Sequence, residues 1–218
     1  MGLEIRRLHL ASLQGVDGRE WPVHGFLVMH PGGCVLVDSG VGGPEKWLSD
    51  WRVVNRSVAE ALGEHDLVPG DVKMVVNTHL HFDHCGQNAV FRHAPFVVQR
   101  AELDRARREA RALTDWFDFA GARFELLDGD AEIVPGIRAM ATPGHTVGHQ
   151  SVRIEGDGEE VLIGDAAYTP DLYLDPEADR LPPGQAADRG TWSASLRRVH
   201  ASRPRHVHFC HHARVLHS

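Results

Sequence analysis

Apolar positions in this 218-residue chain fall in short runs separated by glycine turns, with few long amphipathic stretches. His24 to His30 (HGFLVMH) and Cys34 to Asp38 (CVLVD) flank Gly32-Gly33, which is the pattern of a hairpin. Arg56 to Glu64 predicts a helix that stops near Leu67-Val68-Pro69-Gly70. The run Lys73 to Asn77 (KMVVN) then predicts a short buried strand, being apolar and β-branched. From Pro95 the order repeats as a strand at Phe96 to Gln99 and a helix over Ala101 to Leu113. Its charges (Glu102, Asp104, Arg105, Arg107, Arg108, Glu109 and Arg111) interleave both signs, as on a solvated helix face.

The second half begins as the first does. Short strands surround Pro135-Gly136 within Asp128 to Ala141, and Gln150 to Ile154 pairs with Val161 to Ile163 across Gly156-Asp157-Gly158. Tyr168 to Gln185 carries four of the twelve prolines and reads as a loop, followed by a helix over Asp188 to Ala201 and a strand at His206 to Phe209. Two halves that each run from hairpins to helix and strand predict an α/β sandwich, with helices outside two sheets. No linker or low-complexity segment divides them, so one domain over 1–218 is expected.

Composition changes this picture at one point only. Hydrophobic residues at 42% and charged residues at 24% are ordinary for a folded domain, and the net charge of −7 argues against general nucleic-acid binding. Three widely spaced cysteines without a CxxC pair predict free thiols in a reducing compartment. No apolar stretch approaches the ~20 residues of a membrane span, so a soluble, cytoplasmic protein with no membrane partner is expected. The exceptional number is 16 histidines, which points to metal chemistry.

The histidines concentrate where the strand Lys73 to Asn77 runs out. Thr78-His79-Leu80-His81-Phe82-Asp83-His84 places three imidazoles and one carboxylate within six residues, with Gly86 beyond to turn the chain. Alternation puts His79 and His81 on one side, while Asp83 and His84 can swing to a second position. Nitrogen and carboxylate donors suit a borderline-soft divalent ion such as zinc. Four donors so spaced do not serve one ion well, so two ions are implied.

HLHFDH resembles the HxHxDH signature of the metallo-β-lactamase superfamily, whose fold is an αββα sandwich with metals at one sheet edge. Three further segments resemble that family in the same order: Thr142 to His149 (TPGHTVGH), Gly164-Asp165, and His211 after the last strand. The resemblance implies one ion on His79, His81 and His145, a second on Asp83, His84 and His211, and Asp165 bridging them. The position after the strand favours His211 over the neighbouring His212. Asp38, in Val37-Asp38-Ser39-Gly40, resembles the family's VDTG turn, where it would either orient a ligand histidine or make a local turn hydrogen bond. His149 reads as support or packing, and Cys85 and Cys210 as small buried hydrophobes.

Paired ions of this kind acidify a shared water and polarise an electrophilic oxygen, which is equipment for hydrolysis by a bridging hydroxide. No GxSxG, HExxH, P-loop or GxGxxG pattern supports another chemistry. Gly164 to Tyr168 (GDAAY) and Gly148 to Ser151 (GHQS) resemble the N-acyl-homoserine lactone lactonases. That likeness implies a small lactone substrate, with Tyr168 at its carbonyl and Asp83 moving the proton. A glyoxalase II type thioesterase, or another small-ester or β-lactam hydrolase, is the alternative. Trp47, Trp51, Trp116, Phe117 and Trp192 could line a pocket, but aromatic residues at such spacings belong more often to the core.

Overall fold

The computed structural model describes residues 3–15, 18–110, 114–156, 158–175 and 181–217. Thirteen strands among them form two sheets. The first contains β1 (Glu4–Gln14), β2 (Glu20–Met29), β3 (Cys34–Val37), β4 (Val54–Asn55), β5 (Val72–Val76), β6 (Phe96–Gln99) and β7 (Phe124–Leu127), in the order β4-β1-β2-β3-β5-β6-β7. The second contains β8 (Ala131–Val134), β9 (Ile137–Ala141), β10 (Gln150–Glu155), β11 (Glu159–Leu162), β12 (His206–Phe209) and β13 (His212–His217), in the order β13-β12-β11-β10-β9-β8. Both sheets are mixed. β3, β5, β6 and β7 run parallel in the first, β11 and β12 in the second, and the remaining pairs are antiparallel.

Side-chain alternation along the strands creates the layers. Phe26, Val35, Val37, Val76 and Val97 meet Ile137, Val152, Ile154 and Leu162 between the sheets. Leu8, Leu10, Leu36, Val75 and Phe96 face outward from the first sheet and pack beneath α2 (Val58–Gly63). Met140, Val161, Ile163 and Val207 do the same under α6 (Arg189–Ala201), which contributes Trp192, Leu196 and Val199. The result is the αββα sandwich expected from the two-part pattern. Ser57 caps α2 in a capping box with Glu60, and Asp188 caps α6 by accepting from Thr191 N at 3.0 Å.

Several elements were not anticipated: β1, α1 (Glu45–Asp50), β4, β7, α5 (Pro170–Leu174) and β13. β4 has only two residues, and β13 is an edge strand with mixed polarity, so neither carries a strong periodic signal. α5 sits inside the stretch read as a loop, capped by Thr169 with Pro170 in its first turn. The helix read over Ala101 to Leu113 is α4 (Arg100–Ala110), and 111–113 lie outside the described residues, as do Asp157 and 176–180.

The ends of β3 and β5 are locked to each other through backbone. Ser39 N donates to His84 O at 2.7 Å, Gly42 N to Phe82 O at 2.9 Å and Gly86 N to Gly40 O at 2.8 Å. This holds α3 (Phe82–Cys85) against the loop after β3. Gly86 permits the approach, because a Cβ there would stand 1.8 Å from Gly42 N, backbone that cannot step aside. Gly86→Ala is therefore expected to destabilise the chain by about 1–3 kcal/mol or more and to lower bound metal, read by denaturant unfolding and elemental analysis. Wild-type values for both would contradict this account of the lock.

Candidate metal centre

β5 ends at Val76, and the next residues pass under the open end of the sandwich. His79 and His81 lie in the loop, while Asp83 and His84 belong to the single turn of α3, which rotates them away to a second position. The 142–149 connection delivers His145 between β9 and β10, Asp165 sits in a 3₁₀ turn after β11, and His211 occupies the turn between β12 and β13. All these sites sit at the same end of the two sheets.

Three nitrogens form a small triangle. His79 Nε2 and His81 Nδ1 are 3.0 Å apart, and His145 Nε2 is 3.2 Å and 3.1 Å from them. Ligands ~2.0–2.1 Å from a tetrahedral ion stand about 3.3 Å apart, so the triangle has the size of a ligand face. His84 Nε2, His211 Nε2 and Asp83 Oδ2 form a second group, with separations of 3.8 Å and 3.6 Å from the carboxylate to the two imidazoles. Asp165 lies between the groups and divides its oxygens. Oδ2 is 3.7 Å from His79 and 3.3 Å from His145, whereas Oδ1 is 3.2 Å from both His84 and His211.

Groups behind the imidazoles set their tautomers. His145 Nδ1 donates to Gln185 O at 3.1 Å, and His211 Nδ1 to Pro22 O at 3.0 Å. A carbonyl can only accept, so in the neutral imidazoles both Nε2 atoms present lone pairs to the centre. His84 Nδ1 donates to Asp38 Oδ2 at 2.8 Å, and the other Asp38 oxygen accepts Thr78 N at 2.8 Å. Asp38 thus orients a histidine rather than closing a turn, and it does so from a left-handed backbone, φ 60°. His149 accepts Asp165 N on Nε2 at 2.9 Å and holds the aspartate's turn. His212 lies in β13 with Nδ1 taken by Arg214 N, so the chain places His211 and not His212 at the centre.

Two buried polar atoms here make no well-aligned hydrogen bond, His84 Nε2 and Asp165 Oδ1. Each such atom costs about 1–3 kcal/mol unless something polar completes it. They face one another across 3.2 Å beside Asp83 and His211, where a divalent cation fits the donors and would relieve both.

Charge divides the two groups. Burial, together with neighbouring imidazoles, pushes His79 and His81 well below the usual histidine range, and burial lowers His145 against the pull of Asp165. Burial also opposes the charge on His84, yet Asp165, Asp38 and Asp83 outweigh it and raise His84 well above its free value. His211 is raised against burial in the same way, chiefly by Asp165. Asp165 stays well below the carboxylate range despite burial, because His84, His211 and His145 surround it.

Sequence reasoning missed part of the surroundings. Glu102 was read on a solvated face but is wholly buried, with Arg105 partly buried beside it. The helix contacts both ligand loops, a long-range fact that charge spacing does not record. Gln185, whose Nε2 donates to Asp165 O at 2.6 Å and whose Oε1 accepts Tyr168 N at 3.3 Å, was missed as well. Trp47, Trp51, Trp116 and Phe117, left unassigned by the sequence, line a cleft of about 420 Å³ that opens onto His81, Asp83, His145 and Asp165. Trp192 is core instead, its Nε1 donating to Ala166 O at 2.7 Å. Tyr168 stands over the centre, its ring 5.9 Å from that of His145 and 5.2 Å from that of His211. Cys85 and Cys210 are buried free thiols, and burial pushes Cys210 up to about 12.

An αββα sandwich with two groups of histidine and carboxylate donors sharing one aspartate at a common sheet end is an arrangement that could hold two divalent ions. The pattern of the family described as the Metallo-beta-lactamase superfamily matches residues 18–211, and the chain belongs to that superfamily. It is similar to an N-acyl homoserine lactonase from Bacillus sp, 34% identical over 169 residues covering 70% of this chain and 66% of that protein. The chain therefore spans about two thirds of the length of that relative. It is also 34% identical over 203 residues to an N-acyl homoserine lactonase AttM from Azorhizobium caulinodans, covering 78% and 74% of the two chains. Among solved structures it resembles an N-acyl homoserine lactone hydrolase with the product N-hexanoyl-L-homoserine bound at its catalytic metal centre. The TM-score is 0.77 at 26% identity, covering 96% of this chain and 92% of the other.

Chelator-treated protein should be most stable near pH 6.5. Burial holds His24 near about 4 and His149 near about 3 in the folded state, and His79, His81 and His145 are lowered too. Their unfolded forms take up protons first, so stability falls as pH drops below 6.5. His84 and His211 are raised, so their contribution is full below 6.5 and is lost as pH rises through their folded values. Thermal unfolding in chelator from pH 4 to 9 should trace this maximum, and a Tm that climbs steadily across the range would refute it.

Proposed function

We propose that the chain is a two-metal lactonase that opens the ring of N-acyl homoserine lactones. The observation that carries the reading is Asp165, whose two oxygens serve separate histidine groups directly beneath Tyr168 and an aromatic cleft. The named activity of its relatives supports the same reading. His79, His81 and His145 would hold one ion, Asp83, His84 and His211 the other, and Asp165 both. A donor set rich in imidazole suits zinc. Bound there, two divalent ions supply an acidified water and a Lewis acid for the substrate carbonyl.

The chain's own groups do the rest. Trp47, Trp51 and Trp116 give the acyl chain an apolar wall and exclude water from the ester. Burial, then the Asp165 and Asp83 carboxylates, push the Tyr168 phenol well above its usual range, so it remains a hydrogen-bond donor at neutral pH. Its hydroxyl is available to the oxygen that gains charge as the ring carbonyl turns tetrahedral. Asp83 lines the cleft and can receive the proton of the attacking water and return it to the leaving alkoxide.

Protein reconstituted with zinc should turn over N-acyl homoserine lactones, lose that activity in chelator and regain it with metal. Hydrolysis of a thioester panel with no lactone opening would replace this reading with a thioesterase. Tyr168→Phe should lower kcat on lactones roughly tenfold at unchanged metal content, the low end expected for an oxyanion donor that shares its charge with metals. Rates equal to wild type would remove Tyr168 from the chemistry.

A further inference from the structure

Three carboxylates are buried among the described residues: Asp165, Asp38 and Glu102. Asp165 joins the two histidine groups and Asp38 holds His84, but Glu102 touches no ligand side chain. It projects from α4 into the backbone of the loops that carry the ligands. Oε1 accepts Leu80 N at 2.9 Å and Arg105 Nη2 at 2.5 Å. Oε2 accepts Thr146 Oγ1 at 2.7 Å, Gly148 N at 3.3 Å and Arg105 Nε at 3.3 Å. Leu80 sits between His79 and His81, and Thr146 directly follows His145. One carboxylate therefore fastens together the two segments that supply the nitrogen triangle.

Two features show how closely this contact is fitted. A Cβ at Gly148 would stand 2.2 Å from Glu102 N, so the loop lies on the helix backbone without room for any side chain. Arg105 meets Glu102 through both Nε and Nη2 and reaches Glu109 at the cleft rim, so the buried charge is compensated and its direction set. A buried carboxylate with one partner would be costly, whereas this one has all its acceptors engaged.

We infer that Glu102, held by Arg105, is the positioning residue of the His79, His81 and His145 group, setting the separation of its two segments as Asp38 sets His84 in the other group. The inference rests on the ligand assignment proposed above. Its consequence is that the two metal sites are braced from different residues and can be weakened one at a time.

The test reads metal affinity rather than turnover. Cobalt(II) is titrated into chelator-treated wild type, Glu102→Gln and Thr146→Val in competition with a chromophoric chelator, with visible absorption recorded. Glu102→Gln keeps the shape but removes the charge, and Thr146→Val removes one donor to it. Glu102→Gln is expected to weaken one of the two binding steps about 10–100-fold and leave the other near wild type, with Thr146→Val acting severalfold on the same step. In a His211→Ala background Glu102→Gln should weaken the step that remains, and in a His145→Ala background it should add nothing. Equal weakening of both steps would make Glu102 a general structural residue and overturn the inference, as would unchanged affinities. If Glu102→Gln does not fold, an unchanged first step in Thr146→Val overturns it and a selective loss sustains it. A wild type that binds no cobalt overturns the ligand assignment and this inference together, while two bound ions without lactone turnover would count against the proposed activity alone.

Discussion

Five imidazoles and two carboxylates, most of them buried, converge at the end of this sandwich, and His84 Nε2 and Asp165 Oδ1 make no well-aligned hydrogen bond among them. That concentration of unsatisfied polarity is the constraint from which the rest of the structure follows. A core of apolar side chains could fill the same volume without cost. The chain instead holds lone pairs and negative charge together in a medium that solvates neither well, an arrangement that becomes favourable when a divalent cation replaces the missing partners. Proton affinity at the two groups differs for the same reason, since one faces mainly other imidazoles and the other faces carboxylates.

Holding so many donors at ligand distance requires their backbones to be fixed more tightly than loops normally are. The sheets give coarse placement by ending together, and fine placement comes from groups that were spare elsewhere in the fold. Backbone carbonyls of Pro22 and Gln185 fix His211 and His145, and Asp38 fixes His84 while tied to Thr78. Gly42, Gly86 and Gly148 let backbone meet backbone where a single methyl group would separate the parts. Each brace costs little by itself. Together they convert loop connections into a rigid set of donors, which is what a preorganised site needs.

The cleft shows the same division of labour. Its wall is aromatic and its floor is the histidine and carboxylate cluster, with Tyr168 at the boundary, edge-on to Trp21 as well as to His145 and His211. An ester bound against this wall would be shielded from bulk water on one side and would meet the imidazole and carboxylate donors on the other. Arg105 enters the cleft from α4 already engaged with Glu102 and Glu109, so its role there is coupled to the scaffold beneath.

Much of this was readable in the order of residues. HLHFDH after an apolar β-branched run, a third histidine in TPGH, an aspartate after a strand and a histidine after the last strand are local signals, and strands β6 and β12 fell where their patterns put them. Local pattern decides these because strand alternation and turn chemistry act over a few neighbours. It could not decide what depends on partners far along the chain. Whether Asp38 closed a turn or held a histidine depended on where His84 came to rest, 46 residues away. His211 and His212 are the same residue type side by side, and only the turn into β13 separates them. Glu102 is a carboxylate like the exposed Asp104 and Glu109 on α4, and its burial follows from two loops meeting over one helix face. Sequence named the donors because ligand chemistry is written in side-chain type and spacing; tertiary structure chose their partners because hydrogen bonding and burial are set by what the fold brings alongside.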